Sequence, residues 1–246
     1  MNIRKISFLF LINNLFHNNS FSKKLLTNLS LTNYQPKTQN QFEYNKALYS
    51  KLIDLLICTG PAGTGKTLLA CNYAIDSLQK KNTNKIIITR PTIAIEENIG
   101  FLPGNIKDKM HPWTIPIFDI FKEFYSQKEI DILIHENIIE IVPIGFMQGR
   151  TFKNCIIIAD EMQNSTPNQM FMLLTRIGVK SKMMITGDLM QTTNKDNGLY
   201  DLINKLNINY LVKEDMEEDG IKIINFKSED ILRSKIVSKI TSIYKK

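Results

Sequence analysis

The stretch Gly60-Pro61-Ala62-Gly63-Thr64-Gly65-Lys66-Thr67 decides the reading of this chain. It fits glycine, four residues, glycine, lysine, then serine or threonine, the spacing of a loop that wraps a polyphosphate. Glycines at 60, 63 and 65 open backbone dihedrals closed to other residues, so successive N–H groups can turn inward on an anion. In that arrangement Lys66 reaches the β and γ phosphates and the Thr67 hydroxyl holds Mg²⁺. The flanks agree: Asp54 to Thr59 has strand length and is mostly apolar, while Leu68 to Leu78 carries Leu, Ala, Tyr and Ile at helical spacing. Strand, loop and helix therefore follow in the required order, and the helix N-terminus adds its partial positive charge at the phosphates.

Composition narrows the class. A chain of 246 residues, 43% hydrophobic and 22% charged, suits one α/β domain with a tail. Cys58, Cys71 and Cys155 have neither zinc-site spacing nor pairable numbers, so they read as core thiols in a reducing compartment rather than a disulfide framework. The net charge of +7 is uneven. Residues 1–42 hold Arg4, Lys5, Lys23, Lys24 and Lys37 and no acid, which leaves 26 basic against 24 acidic residues beyond them. Bulk charge thus gives little support for a polyanion partner.

The apolar run Ile6 to Ile12 is too short to cross a bilayer, so no membrane span is expected there. Residues 1–37 read as a poorly ordered basic tail, with an organelle transit segment as the alternative, because the stretch is rich in Asn and Ser and free of acids. A cytoplasmic location is expected for the first reading and an organelle for the second. Residues 38–246 form the expected domain.

Further along, Phe42 to Leu52 reads as a helix opened by Asn40-Gln41, and Lys85 to Thr89 as a strand stopped by Arg90-Pro91. Glu96 to Lys109 reads as a loop, and Phe118 to Phe124 and Glu129 to His135 as short helices. Ile138 to Val142 is a third strand. Cys155 to Ala159 is a buried strand ending in Asp160-Glu161, two carboxylates at a strand tip. Behind a phosphate loop, the first would bind Mg²⁺ and the second would orient or deprotonate an attacking water. Thr166 caps a helix to Ile177 with Pro167 in its first turn, and Arg176 ends it. Lys182 to Thr186 is another strand, followed by Gly187-Asp188 and Gln191, a polar side chain placed to sense the γ-phosphate and the water. Gly198 to Leu206 is a helix, Glu214 to Gly220 an acidic turn, Ile221 to Phe226 a strand, and Ser228 to Tyr244 a final helix.

Taken together, these stretches resemble the PhoH family of phosphate-starvation-inducible ATPases, whose fold is similar to the first RecA-like half of superfamily-one helicases. The likeness runs through Asn40-Gln41, Gly60 to Thr67, Thr89-Arg90-Pro91, Gly100 to Gly104, Gly149-Arg150-Thr151, Asp160-Glu161 with Gln163-Asn164, Leu174 to Gly178, Gly187-Asp188 with Gln191, and Ser228-Glu229-Asp230 with Arg233. It implies an α/β P-loop NTPase with a RecA-like parallel sheet, helices on both faces, and a strand inserted between those carrying the phosphate loop and Asp160. It implies ATP and Mg²⁺ as cofactors, Gln41 as the adenine reader, and Arg233 and Arg176 as arginines that meet the γ-phosphate in cis or across a subunit boundary. It further implies RNA or single-stranded nucleic acid as partner, with Arg90, Arg150 and Trp113 as contacts. A homo-oligomeric ring is expected as well, because a nucleotide at the sheet edge otherwise lacks its arginine, and the alternatives to hydrolysis are a nucleotide-gated binding module with little turnover or a small-molecule phosphotransferase.

Overall fold

Successive residues of a strand face opposite sides of the sheet, so a strand that is apolar at every position is stable only when both sides are covered. The runs Ile86-Ile87-Ile88 and Ile156-Ile157-Ile158 meet that condition in the computed structural model, which describes residues 34–91, 106–192, 196–232, 236 and 243. The strands are β1 (Leu55–Thr59), β2 (Ile86–Thr89), β3 (Ile139–Ile141), β4 (Ile156–Ala159), β5 (Lys182–Gly187) and β6 (Ile221–Asn225). They form one sheet in the order β3-β2-β4-β5-β1-β6, every neighbouring pair parallel.

Leu56, Cys58, Ile86, Ile88, Ile156, Ile158 and Met184 pack to one side. They meet helices α1 (Gln39–Tyr49), α2 (Lys66–Gln79), α3 (Ile106–Phe121) and α4 (Gln127–His135) through Tyr44, Leu48, Ile75, Phe121 and Ile130. Ile57, Ile87, Ile157, Met183 and Ile185 pack to the other side, against α5 (Pro167–Leu174) and α6 (Gly198–Asn209) through Met170, Leu173, Leu199 and Leu202. A short helix, α7 (Lys213–Glu218), leads into β6. Helices on both faces of a parallel sheet, with β5 between β1 and β4, are the architecture the sequence implied. The described residues from Pro36 onward belong to one compact unit.

Local signals explain the boundaries. Thr166 accepts from the Gln169 N–H while Gln169 Oε1 accepts from the Thr166 N–H, and Pro167 fills the first turn, so α5 starts where expected. Three segments depart from the sequence reading. Helix α3 runs from Ile106 through Pro112 and Pro116, where a loop to Lys109 was expected. Each proline removes one helical hydrogen bond, and the fully buried Ile117 and Phe121, packed against the α2 layer, offset that loss. The acidic turn at 214–220 contains helix α7, whose Met216 is buried and whose Glu214 and Asp215 sit favourably at its N-terminus. The last helix does not begin at Ser228: Ser228–Asp230 is a single 3₁₀ turn, and most of the expected helix lies outside the described residues.

The three cysteines are buried free thiols. Among the described residues no helix is long and apolar enough to cross a membrane.

Candidate nucleotide site at the strand tips

Parallel registration brings four strand ends together. Thr59 of β1 lies beside Gly187 of β5, Ala159 of β4 beside Ile185 of β5, and Thr89 of β2 beside Ala159. The residues that follow these ends, Gly60, Arg90, Asp160 and Asp188, therefore share one edge of the sheet, where ligands bind in open α/β folds.

The loop itself is built for an anion. Gly60, Gly63 and Gly65 have φ of 137°, 85° and 87°, all in the region that favours glycine. At Gly60 the restriction is also steric, because an added Cβ would lie 2.7 Å from Phe226 Cβ. Gly65 caps α2, so the Lys66 and Thr67 N–H groups belong to a helix's unpaired first turn and carry the positive end of its dipole. Thr64 is fully buried and its hydroxyl donates to the Pro61 carbonyl at 2.8 Å, closing the loop around Ala62. The Lys66 ammonium lies folded within the loop, donating to the Gly60 and Pro61 carbonyls at 2.6 and 2.8 Å. Burial lowers its pKa, against the opposing influence of Cys58, Asp188, Glu161 and Asp160.

Asp160 is the hub of the site. It is 3% exposed, and its Oδ1 accepts from the Thr67 hydroxyl at 2.7 Å and from the buried Thr186 hydroxyl. Its Oδ2 lies 3.0 Å from an Arg90 guanidinium nitrogen, which also reaches Glu161 Oε1 at 3.4 Å. Glu161 adopts φ 57°, a left-handed conformation uncommon outside glycine, and its Oε2 accepts from Gln163 Nε2 at 2.6 Å. Gln163 is buried, and its other amide atom accepts from the Asp188 N–H at 3.0 Å, so it ties the β4 tip to the β5 tip. A hydroxyl and a carboxylate beside a phosphate loop are hard oxygen donors of the kind Mg²⁺ takes, completed by phosphate oxygens and water. Thr67 and Asp160 fit that ion.

The other expected residues fare differently. Gln41 is 3% exposed and fastened to the loop: its Nε2 donates to the Thr64 carbonyl at 2.9 Å and its Oε1 accepts from the Lys37 N–H at 2.8 Å. An amide can make four hydrogen bonds, so one donor and one acceptor site remain for a base edge. Gln191 lies exposed in the turn after β5, its N–H donating to the Asp188 carbonyl at 3.1 Å. Arg233 lies outside the described residues, but Leu232 just before it donates its N–H to the Gly63 carbonyl at 3.0 Å. Asp230, 1% exposed, anchors that segment by accepting from Asn40 Nδ2 and the Lys227 N–H, both at 2.7 Å.

Arg176 is a correction within one subunit. Its guanidinium donates to the Met172 and Arg150 carbonyls, and its own carbonyl accepts from the Phe152 N–H. Phe152 precedes β4, so Arg176 sits at the amino ends of the strands, across the sheet from the phosphate loop. Arg150 is there too, paired with Glu140 at 2.8 Å and stacked 4.7 Å from the Phe152 ring, beside an open cleft lined by Asn84, Lys85 and Lys153. Arg90 faces the carboxylates, and Trp113 falls within α3. Sequence reasoning missed Thr186, placed Gln163 in a matching stretch without a role, and set Arg90 at the ligand-binding edge as a nucleic-acid contact without its partnership with the two carboxylates.

Comparison with known proteins bears on the fold and the family. The large terminase of a thermophilic bacteriophage superposes with a TM-score of 0.53 at 14% identity, covering 85% of this chain and half of that one. A crystal form of the same terminase in complex with ADP gives 0.50 at 16% identity, covering 84% of this chain and half of that one. At these identities the likeness speaks for the fold. The PhoH-like protein of Bacillus subtilis is 38% identical over 228 residues, 92% of this chain and 68% of its own length. Protein PhoH of Escherichia coli K12 is 33% identical over 213 residues, 85% of this chain and 57% of its own length. This chain thus spans about three fifths of the curated relatives it matches. With the PhoH-like protein family model matched over residues 33–245 as well, the chain belongs to the PhoH-like family.

Proposed function

We propose that this chain is a magnesium-dependent ATPase whose hydrolysis is coupled to RNA or single-stranded nucleic acid. The observation that carries the ATPase reading is the 2.7 Å bond from Thr67 of the phosphate loop to Asp160 at the end of another strand, with Glu161 directly beyond. A triphosphate laid along Gly60 to Thr67 would draw Lys66 off the loop carbonyls toward its oxygens. Mg²⁺ held by Thr67, Asp160 and the phosphates would supply charge neutralisation of the γ-phosphoryl group. Glu161, held at one carboxylate oxygen by Gln163, accepts a hydrogen bond from the attacking water and takes its proton as the oxygen–phosphorus bond forms. The bond to the β-phosphate oxygen breaks, leaving ADP and phosphate.

Coupling to nucleic acid is supported by the family resemblance, while the near-balanced charge beyond residue 42 argues for a localised contact rather than a broad basic surface. A ring assembly would supply a γ-phosphate arginine from a neighbouring subunit, with Arg233 the candidate. One observation favours a second reading, a nucleotide-gated module with little turnover: Arg90 already engages both carboxylates. Steady-state phosphate release, with and without single-stranded RNA and at two protein concentrations, separates the two. Glu161→Gln should lower release at least about tenfold while ATP binding persists; equal release removes Glu161 from the mechanism. Lys66→Ala should weaken ATP binding, and unaltered binding undoes the loop assignment.

A further inference from the structure

Two adjacent carboxylates, one 3% exposed, cannot sit at a sheet edge without compensating charge. Thr67 and Thr186 satisfy Asp160 Oδ1 with neutral hydroxyls, which supply hydrogen bonds but no positive charge. Lys66 acts on the pair through space, but Arg90 supplies positive charge in direct contact, reaching Asp160 Oδ2 at 3.0 Å and Glu161 Oε1 at 3.4 Å from one nitrogen with only 16% of its side chain exposed. The geometry points to Arg90 as a placeholder cation. It neutralises the carboxylate pair while no nucleotide is bound, and it gives up Asp160 when a divalent ion arrives with the phosphates. This rests on the magnesium-nucleotide reading of the same site.

Electrostatics supports the exchange. A carboxylate oxygen that serves a divalent ion places that ion beside the guanidinium, and repulsion between two cations is strong where little water screens it. The two therefore compete for Asp160. Two consequences follow for the protein's own residues. Glu161 is held from both sides, by Arg90 at Oε1 and Gln163 at Oε2, so departure of Arg90 frees one oxygen to face water. Arg90 also directly follows β2, so its displacement changes the charge presented at the carboxyl edge of that strand. The residue that the family resemblance nominated for nucleic acid would thus be released by the nucleotide.

The test is Mn²⁺ affinity, read by electron paramagnetic resonance on the full chain saturated with ADP, beside ADP binding without metal by calorimetry. Arg90→Gln should tighten Mn²⁺ binding about fivefold or more, the lower end of ordinary coupling between two bound species. Arg90→Lys keeps the charge but on a shorter side chain with a more strongly hydrated head group, so it should fall between the two and carries the test should the glutamine variant fold poorly. Mn²⁺ affinity that is unchanged or weaker in both variants, with ADP still bound, overturns the placeholder role alone. An unsubstituted chain that binds ADP neither with nor without metal overturns the nucleotide reading and the placeholder together.

Discussion

Thr186→Val is the sharpest probe of how the site is held together. Valine matches threonine in shape, so the change removes one hydroxyl without opening a cavity. Thr186 is fully buried and Asp160 is 3% exposed, so water cannot replace the lost donor. Among the described residues, Asp160 Oδ1 would keep the Thr67 hydroxyl alone, and Oδ2 Arg90 alone. A hydrogen bond to a charged acceptor contributes about 1.5 to 3 kcal/mol, and the variant should lose that much stability. Thr67→Val removes the other hydroxyl from the same oxygen, but Thr67 is only half-buried, so water can enter and the cost should be smaller, about 1 kcal/mol. Urea unfolding of both single variants, of Asp160→Asn and of the paired variants gives the coupling directly. Thr186 and Asp160 should couple by about 1 to 2 kcal/mol. A loss below about 0.5 kcal/mol for Thr186→Val, or no coupling to Asp160, would refute the claim that this hydroxyl fixes the carboxylate.

Three further outcomes are expected. Gly60→Ala combines a φ of 137° with a 2.7 Å approach to Phe226 Cβ; it should cost about 2 to 4 kcal/mol in urea unfolding and abolish ADP retention, and a variant that retains ADP would show that the loop tolerates a side chain there. The buried Lys182 ammonium donates to the Ala47, Leu48 and Ser50 carbonyls at 3.2, 2.7 and 2.7 Å, so Lys182→Met should destabilise by about 2 to 3 kcal/mol. Burial pulls the Lys182 pKa down to about 8, so between there and about 10.4 the unfolded chain binds more protons than the folded one; the stability it contributes rises with pH, and the deficit of Lys182→Met should grow by about 1 kcal/mol from pH 8 to 9.5 rather than shrink. Arg176→Gln should cost about 1 kcal/mol through its carbonyl contacts and change phosphate release less than about twofold, whereas an arginine that met the γ-phosphate across a subunit boundary would lose about a thousandfold.

The parts of the site legible in the sequence are those whose chemistry is local. Backbone freedom at Gly60, Gly63 and Gly65 is a property of the residues themselves, and Asp160-Glu161 is marked by the apolar run before it. Thr186 and Gln163 are different. Neither is unusual where it stands, and each acquires its role only when strand order places β5 beside β4 with Ala159 opposite Ile185. A faint signal was available. Thr59, Thr89 and Thr186 are hydroxyl residues at or next to the carboxyl ends of otherwise apolar buried strands, where alternation alone would favour another aliphatic. Arg90 is a related case: chain direction alone puts it at the ligand-binding edge of the sheet, but only the β2–β4 register sets it beside two carboxylates.

The placement of Arg176, by contrast, could have been reached from the sequence by geometry alone. In a parallel sheet every strand leaves at the carboxyl edge, so a helix that follows a strand must run back toward the amino edge before the next strand can start. Helix α5 follows β4 and spans eight residues, about 12 Å of axis, and Arg176 comes after its last turn. Its position at the far edge is therefore a consequence of chain direction, whatever motif surrounds it. The same rule places Leu232, which follows β6 and the 3₁₀ turn Ser228–Asp230, still at the carboxyl edge, where it is bonded to the phosphate loop. An arginine that ends a returning helix therefore stands a strand's length away from the phosphate loop of its own subunit, which is why Arg176→Gln should leave that subunit's chemistry almost untouched.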